Sequence, residues 1–417
     1  MLAGEVLAVF PSRFPAMQNS PKSSVFSYSA SRGVIVVLGV VCVIAVWFLV
    51  KRWGLEVEKQ SDLAAQVQTL AQKNSETGRD ELPVRHATGA ENVIKEEVNA
   101  ADLYQQAMAL FDALTDEEKK MISQPRDEVD ADKAAALFEK IQPIMELLRG
   151  AAKAGYCDWG EDAPKLDNAG AHVGRVMQLD RLALWSAAYQ FPNAPAAAMD
   201  DLMVRRSVSR SVSDSMIGLT AANGSEAAAI NLISVHAGVF TPETLAKVME
   251  FLHSPPIEQD FNRAVLGDAV LLEKALNDEN FAWSQSGMTK AEVQAASLMI
   301  GQFQSEFLKH VSLPDAEFDR WWQSTKDGMA SHPLTEIAVG VLPNLRTSVR
   351  RTDVRRSMLL AGLSVMRNGP FQIGMYPEAG STRPFTYQPS PGGGFTLRSS
   401  FQSNGKPLEM NFPASSR

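Results

Sequence analysis

The pattern of apolar and polar positions divides the chain into three unequal regimes. Between Gly33 and Val50 there is no polar face at all: the run GVIVVLGVVCVIAVWFLV carries neither charge nor proline. At the α-helical rise its eighteen residues span roughly 27 Å, close to the hydrocarbon thickness of a bilayer. A helix there satisfies its own backbone hydrogen bonds. Trp47 and Trp53 occupy aromatic-belt positions, and Lys51-Arg52 can reach the headgroups. A cleaved leader has a shorter apolar core followed by small residues, whereas Lys51-Arg52-Trp53-Gly54 follows here. The run therefore predicts one transmembrane helix over 33–50, with the bilayer as a partner.

From Ala100 to about Met366 the apolar residues recur at the helical period. Leu103, Ala107, Leu110, Phe111 and Leu114 form one stripe; Ile141, Met145 and Leu148 form another; Val265, Leu266, Val270, Leu272 and Leu276 form a third. Thr115-Asp-Glu-Glu118 and Thr289-Lys-Ala-Glu292 read as capping boxes, and Thr241-Pro242-Glu243 as an N-cap, an N1 proline and an acid. Asn223-Gly224-Ser225-Glu226 reads as the start of a further helix. No internal repeat of solenoid period is present. The last fifty residues change to period two. Phe385-Thr-Tyr387, Phe395-Thr-Leu397 and Leu408-Glu-Met410-Asn-Phe412 alternate, and Asn404-Gly405 is a two-residue hairpin turn.

These patterns predict a mainly α fold: an N-terminal transmembrane helix, a short helical stalk, an irregular α-helical domain and a small C-terminal antiparallel β-meander. The expected boundaries are an unstructured arm over 1–32, the span over 33–50 and a stalk and linker over 51–97. The helical domain follows over 98–369 and the meander over 370–417. The stalk rests on Leu63, Val67 and Leu70 at a/d-like spacing, and the linker on the polar, Pro83-containing stretch from Lys73 to Asn99.

Composition narrows the function classes. The chain of 417 residues is 45% hydrophobic and 21% charged, a globular balance. Its formal net charge of −8 argues against nucleic acid as a partner. The two cysteines, Cys42 in the apolar run and Cys157 far beyond it, cannot pair within one fold, so a packed core must supply the stability. Basic residues flank the span evenly, with Arg13, Lys22 and Arg32 before it and Lys51, Arg52 and Lys59 after it. Long domains translocate largely regardless of such charges, which favours a soluble part outside the cytoplasm.

Candidate chemistry is sparse. His86, His172, His236, His253, His310 and His332 form no zinc-binding spacing, and no nucleophile elbow, P-loop or dinucleotide fingerprint occurs. The residues therefore point to no catalytic group, metal ligand or cofactor. The most distinctive string is Tyr156-Cys157-Asp158-Trp159-Gly160, placed in a loop. A thiolate needs a histidine or a cation beside it, and none is local, which leaves His172 or Arg175 as spatial partners. The favoured reading is structural: Trp159 and Cys157 buried to pin the loop, with Asp158 or Asp162 capping the next helix. Arg346, Arg350, Arg351, Arg355 and Arg356 make a basic helical stripe able to meet phosphate or anionic lipid. Asp353 interrupts the stripe and the whole chain is acidic, so a solvated face, or pairing with acids on a neighbouring helix, is favoured, with the same reading for Arg205, Arg206 and Arg210. Trp321-Trp322 should place one ring in the core and one half exposed, a contact point for a protein partner. Trp159, Trp321, Arg350 and Arg351 are thus the candidate interaction residues.

The anchor, the segment ADLYQQAMALFDALTDEEKKMI, the string CDWGED and the ending RPFTYQPSPGGGFTLRSS together resemble a group of uncharacterised bacterial single-pass membrane-anchored helical proteins. That resemblance covers most of residues 98–400 in layout and implies an architecture and an envelope location, with no functional residue carried over. The tail also looks like the C-terminal β region of type II secretion pseudopilins, but Arg32-Gly33-Val34-Ile35 lacks the glutamate those proteins carry near the start of their apolar helix. The expected function is a membrane-anchored, non-catalytic binding or scaffolding protein of the cell envelope. The alternative is an envelope enzyme with a site near Cys157 and His172.

Overall fold

The computed structural model describes residues 98–160, 169–253, 257–277, 289–329, 340–403 and 405–414. The Gly33–Val50 run, the stalk, the linker, His86, Asp162 and His332 lie outside the described residues. Among the described residues no helix is long and apolar enough to cross a membrane. What is described is mostly helical and closes with a three-stranded antiparallel sheet.

The chain begins with α1 (Ala100–Asp112), α2 (Asp116–Ser123) and α3 (Ala131–Lys153). Both capping boxes form: Thr115 and Glu118 bond reciprocally at the start of α2. Tyr104, Ala107, Phe111, Leu137, Ile141, Met145 and Leu148 then pack with α4 (Ala169–Gln190) into a first apolar cluster. Leu110, at 43% exposure, falls off the expected stripe.

Next come α5 (Pro195–Arg210) and α6 (Met216–Val235), then α7 (Pro242–Leu252), which starts on Thr241 and its N1 proline as expected. α6 corrects one sequence reading. Asn223–Glu226 does not open a helix but lies inside one that starts seven residues earlier on the Ser215 N-cap. The polar run is held mid-helix by tertiary partners. Asn223 Nδ2 donates to Ser348 Oγ at 2.8 Å, Ser225 Oγ to Asp180, and Glu226 pairs with Arg356. Local capping chemistry lost to packing here.

α8 (Ile257–Asn277), α9 (Lys290–His310) and α10 (Asp315–Met329) follow, with Thr289 and Glu292 boxing the start of α9. Phe261, Phe303, Phe307, Phe318, Leu342 and Val349 gather there into a third cluster. The stripe read on α8 turns out mixed: Val265 is buried, but Leu266 is 67% exposed.

The longest helix, α11 (Leu342–Asn368), ends at Gly369 with φ of 91°, and a 3₁₀ turn (Pro370–Met375) leads into the sheet. β1 (Thr386–Pro389), β2 (Phe395–Ser403) and β3 (Lys406–Phe412) pair in the order β1-β2-β3, with Thr386 opposite Arg398 and Phe395 opposite Phe412. The inward side chains Phe395, Leu397, Leu408, Met410 and Phe412 lie against Met358, Leu359, Ala361 and Val365 of α11. Gly362 makes that approach possible, because a Cβ there would stand 1.9 Å from Phe412 Cζ.

Candidate functional site

The Cys157 loop is built from Asn99 upward. As N-cap of α1, Asn99 accepts from Ala101 N–H at 3.2 Å. The same side chain also clamps the loop: Nδ2 donates to Asp158 O at 2.6 Å, and Oδ1 accepts from Asp158 N–H at 2.9 Å. Ala100 N–H donates to Tyr156 O at 3.0 Å. Asp158 closes a short turn by accepting from Gly160 N–H at 2.9 Å, with Gly160 at φ of 55°. The expected helix cap by Asp158 is therefore a cap on its own turn.

Trp159 ties this loop to three helices. Its ring stacks on Tyr104 of α1 at 6.0 Å and meets His172 of α4 edge-on at 4.5 Å. Its indole Nε1–H donates to the carbonyl of Ser211, the residue that caps the end of α5, at 3.2 Å. Cys157, by contrast, is exposed rather than buried, since backbone pairing and the indole hold the loop without it. Partial burial, then the Asp214 and Asp158 carboxylates, push its thiol up to about 11. Among the described residues no histidine or cation counters that push, which disfavours the thiolate needed for nucleophilic chemistry. His172 instead serves the Trp159 ring. Burial likewise raises Tyr104 to about 12.

The arginines sort into ties between elements. Arg346 is buried: its Nε donates to Val311 O at 2.8 Å, Nη1 to Asp315 at 2.9 Å and Nη2 to Leu313 O, while its guanidinium lies 4.1 Å from the Phe318 ring centroid. It thus closes the end of α9, where carbonyls lack helical partners. Arg206 does the same for α7 through Phe251 O and His253 O. Arg205 pairs with Asp180 at 2.9 Å with both groups buried, joining α4, α5 and α6 through Ser225. Arg149 and Asp201 form a second such knot at 2.8 Å with Ser186 and Gln190. Burial raises Glu226, but Arg356 and Arg206 outweigh it and hold the carboxylate below its usual range. Of the two accounts of the stripe, Arg346 and Arg356 fit pairing with neighbouring acids rather than a solvated face. Trp321 and Trp322 are both half-buried against the third cluster, instead of one in and one out. Trp321 stacks flat on His310 at 4.4 Å.

Arg350 is placed differently. It lines a cleft of about 230 Å³ where α11, the first turn of α10, the Glu378–Ser381 turn and the end of β2 meet. Nη2 donates to Ala379 O at 3.2 Å. Nε, 3.8 Å from Asp315 Oδ1, makes no hydrogen bond although it is buried. Arg351, one residue on, is half-buried on α11 and adds its charge to the burial that lowers Arg355 to about 10. The structure thus separates the four candidate interaction residues among the loop, the aromatic cluster and α11. Among the described residues no group of three or more His, Cys, Asp or Glu gathers to hold a metal.

The class this defines is a mainly α-helical domain carrying a three-stranded antiparallel sheet on its last helix. No protein-family model matches the chain, and no curated protein or solved structure is significantly similar to it.

Proposed function

We propose that this chain is a membrane-anchored, non-catalytic binding or scaffolding protein of the bacterial cell envelope, with its folded part outside the cytoplasm. The observation that carries the reading is the uncharged run Gly33–Val50, followed by a polar stretch and then by a domain built from ties between helices. The non-catalytic half is supported by the Cys157 thiol, held protonated, and by His172 being engaged with an indole. A protein partner belongs to this reading; nucleic acid does not, given the net charge of −8.

The test is fractionation of the full chain. It should remain with membranes after carbonate washing, and a phosphatase fused after Arg417 should be active in intact cells. Release of the uncleaved chain into the wash contradicts the anchor. An inactive phosphatase beside a fluorescent cytoplasmic-type fusion reverses the topology.

A further inference from the structure

We propose that the Arg350 cleft binds the carboxyl-terminal end of a partner polypeptide, which pairs its last residues with the free edge of β2. This inference deepens the anchored-binding reading by naming the partner's chemistry, and it rests on that reading.

The edge is open because β1 stops short. Its pairing with β2 ends at Thr386 opposite Arg398, so among the described residues the stretch from Ser399 to Ser403 has no strand beside it on that side. Two amides in this stretch are already taken: Ser400 N–H donates to Glu378 Oε1 at 2.6 Å, and Phe401 N–H to Ser399 Oγ at 2.9 Å. Gln402 is different. It stands opposite Pro407, next to the Ser403–Lys406 pair that closes the two-residue turn. In such a hairpin the closing pair exchanges both bonds, so the next residue turns its N–H and C=O outward. Pro407, which has no N–H to offer, fits the same non-bonded position. Gln402 is also one of the residues that line the cleft.

The cation is the second half of the site. Arg350 presents a buried Nε without a hydrogen bond, and Asp315 beside it is already held by Arg346 at 2.9 Å. Glu378 is buried with both oxygens bonded to Ser400, so it does not compete for the guanidinium. Gly380, at φ of 68°, packs directly on the guanidinium, since a Cβ there would lie 1.5 Å from Arg350 Nη2. A carboxylate accepting from Arg350 while its own residue pairs with Gln402 uses both features at once. At about 230 Å³ the cleft is smaller than pockets that enclose drug-sized ligands.

The test uses the full chain in detergent micelles and arrays of randomised fluorescein-labelled hexapeptides, each made with a free C-terminal carboxylate and as the C-terminal amide. A subset of the carboxylates should bind, and the matching amides should bind at least about tenfold more weakly. Arg350→Gln should produce a similar loss. Gln402→Pro, which removes the outward N–H, replaces the side chain and fixes φ, should also weaken binding by about tenfold or more, with both variants melting close to the parent. Equal binding of acids and amides, binding that survives both substitutions, or no binder at millimolar concentration overturns the proposal. A chain that stays in carbonate-washed membranes yet binds no peptide ends this inference alone. One that washes out while showing carboxylate-dependent binding ends the anchor and keeps the cleft.

Discussion

The loop at residues 156–160 and the cleft at Arg350 are both small, polar and set between helices, but their polar groups are matched to very different degrees. In the loop, Asn99 takes both main-chain groups of Asp158, Ala100 takes the carbonyl of Tyr156, and the Trp159 indole takes that of Ser211. In the cleft, Arg350 Nε has no hydrogen bond, and the pairing register turns the main chain of Gln402 away from its neighbour strand. A buried donor left unmatched loses the water it would otherwise bond, so folds satisfy such groups unless something else does. Distinctive composition marks the first region; in the second an arginine stands beside an open strand edge, its unbonded Nε being a feature that Arg205 and Arg356 share. Only the latter is a reason to expect a ligand.

Breaking the loop should cost stability rather than binding. Trp159→Ala removes a ring packed on Tyr104 and His172 together with the bond to Ser211. It should destabilise the domain by about 3 kcal/mol, read from thermal or denaturant melts. Asn99→Ala, which loses an N-cap and two loop bonds, should remove about 1–2 kcal/mol on the same assay. Melts that move in neither variant would contradict the structural assignment of the loop.

Cys157 gives a smaller and sharper test. Because the side chain is exposed, Cys157→Ser should stay within about 0.5 kcal/mol of the parent. Its alkylation should be governed by pH. With the thiol pushed up to about 11, the protonated form dominates below that value, so iodoacetamide labelling in a Cys42→Ser background should keep rising past pH 9. At pH 8 the rate should be about a hundredfold below that of an unperturbed thiol. Rapid labelling that is already level near pH 7 would restore the nucleophile reading.

Much of this fold was legible in the chain itself, for physical reasons. The capping boxes at Thr115 and Thr289 and the proline start at Pro242 form because their chemistry is local. The alternation in the tail survives as β1, β2 and β3 because one face of the sheet is buried against α11. Asn223–Glu226 misled because its polar side chains find partners far along the chain, which no local pattern encodes. The stripe of five arginines makes Arg350 a candidate interaction residue, but it does so equally for Arg351. What sets Arg350 apart is the end of β1 opposite Arg398 and the Glu378–Ser381 turn, both long-range features. Charge spacing could suggest a basic stripe, but not which of its members would be spent on closing the end of α9.

The most direct test of the contrast is a crossed measurement on two variants, recording thermal stability and binding of the carboxylate-terminated hexapeptides for each. Trp159→Ala should lower the melting temperature and leave peptide affinity unchanged at a temperature where it is folded. Arg350→Gln, which gives up one bond to Ala379 and a 3.8 Å pairing, should melt within about 1 kcal/mol of the parent and lose the peptides. Peptide binding lost in Trp159→Ala and retained in Arg350→Gln would assign function to the loop and contradict the account.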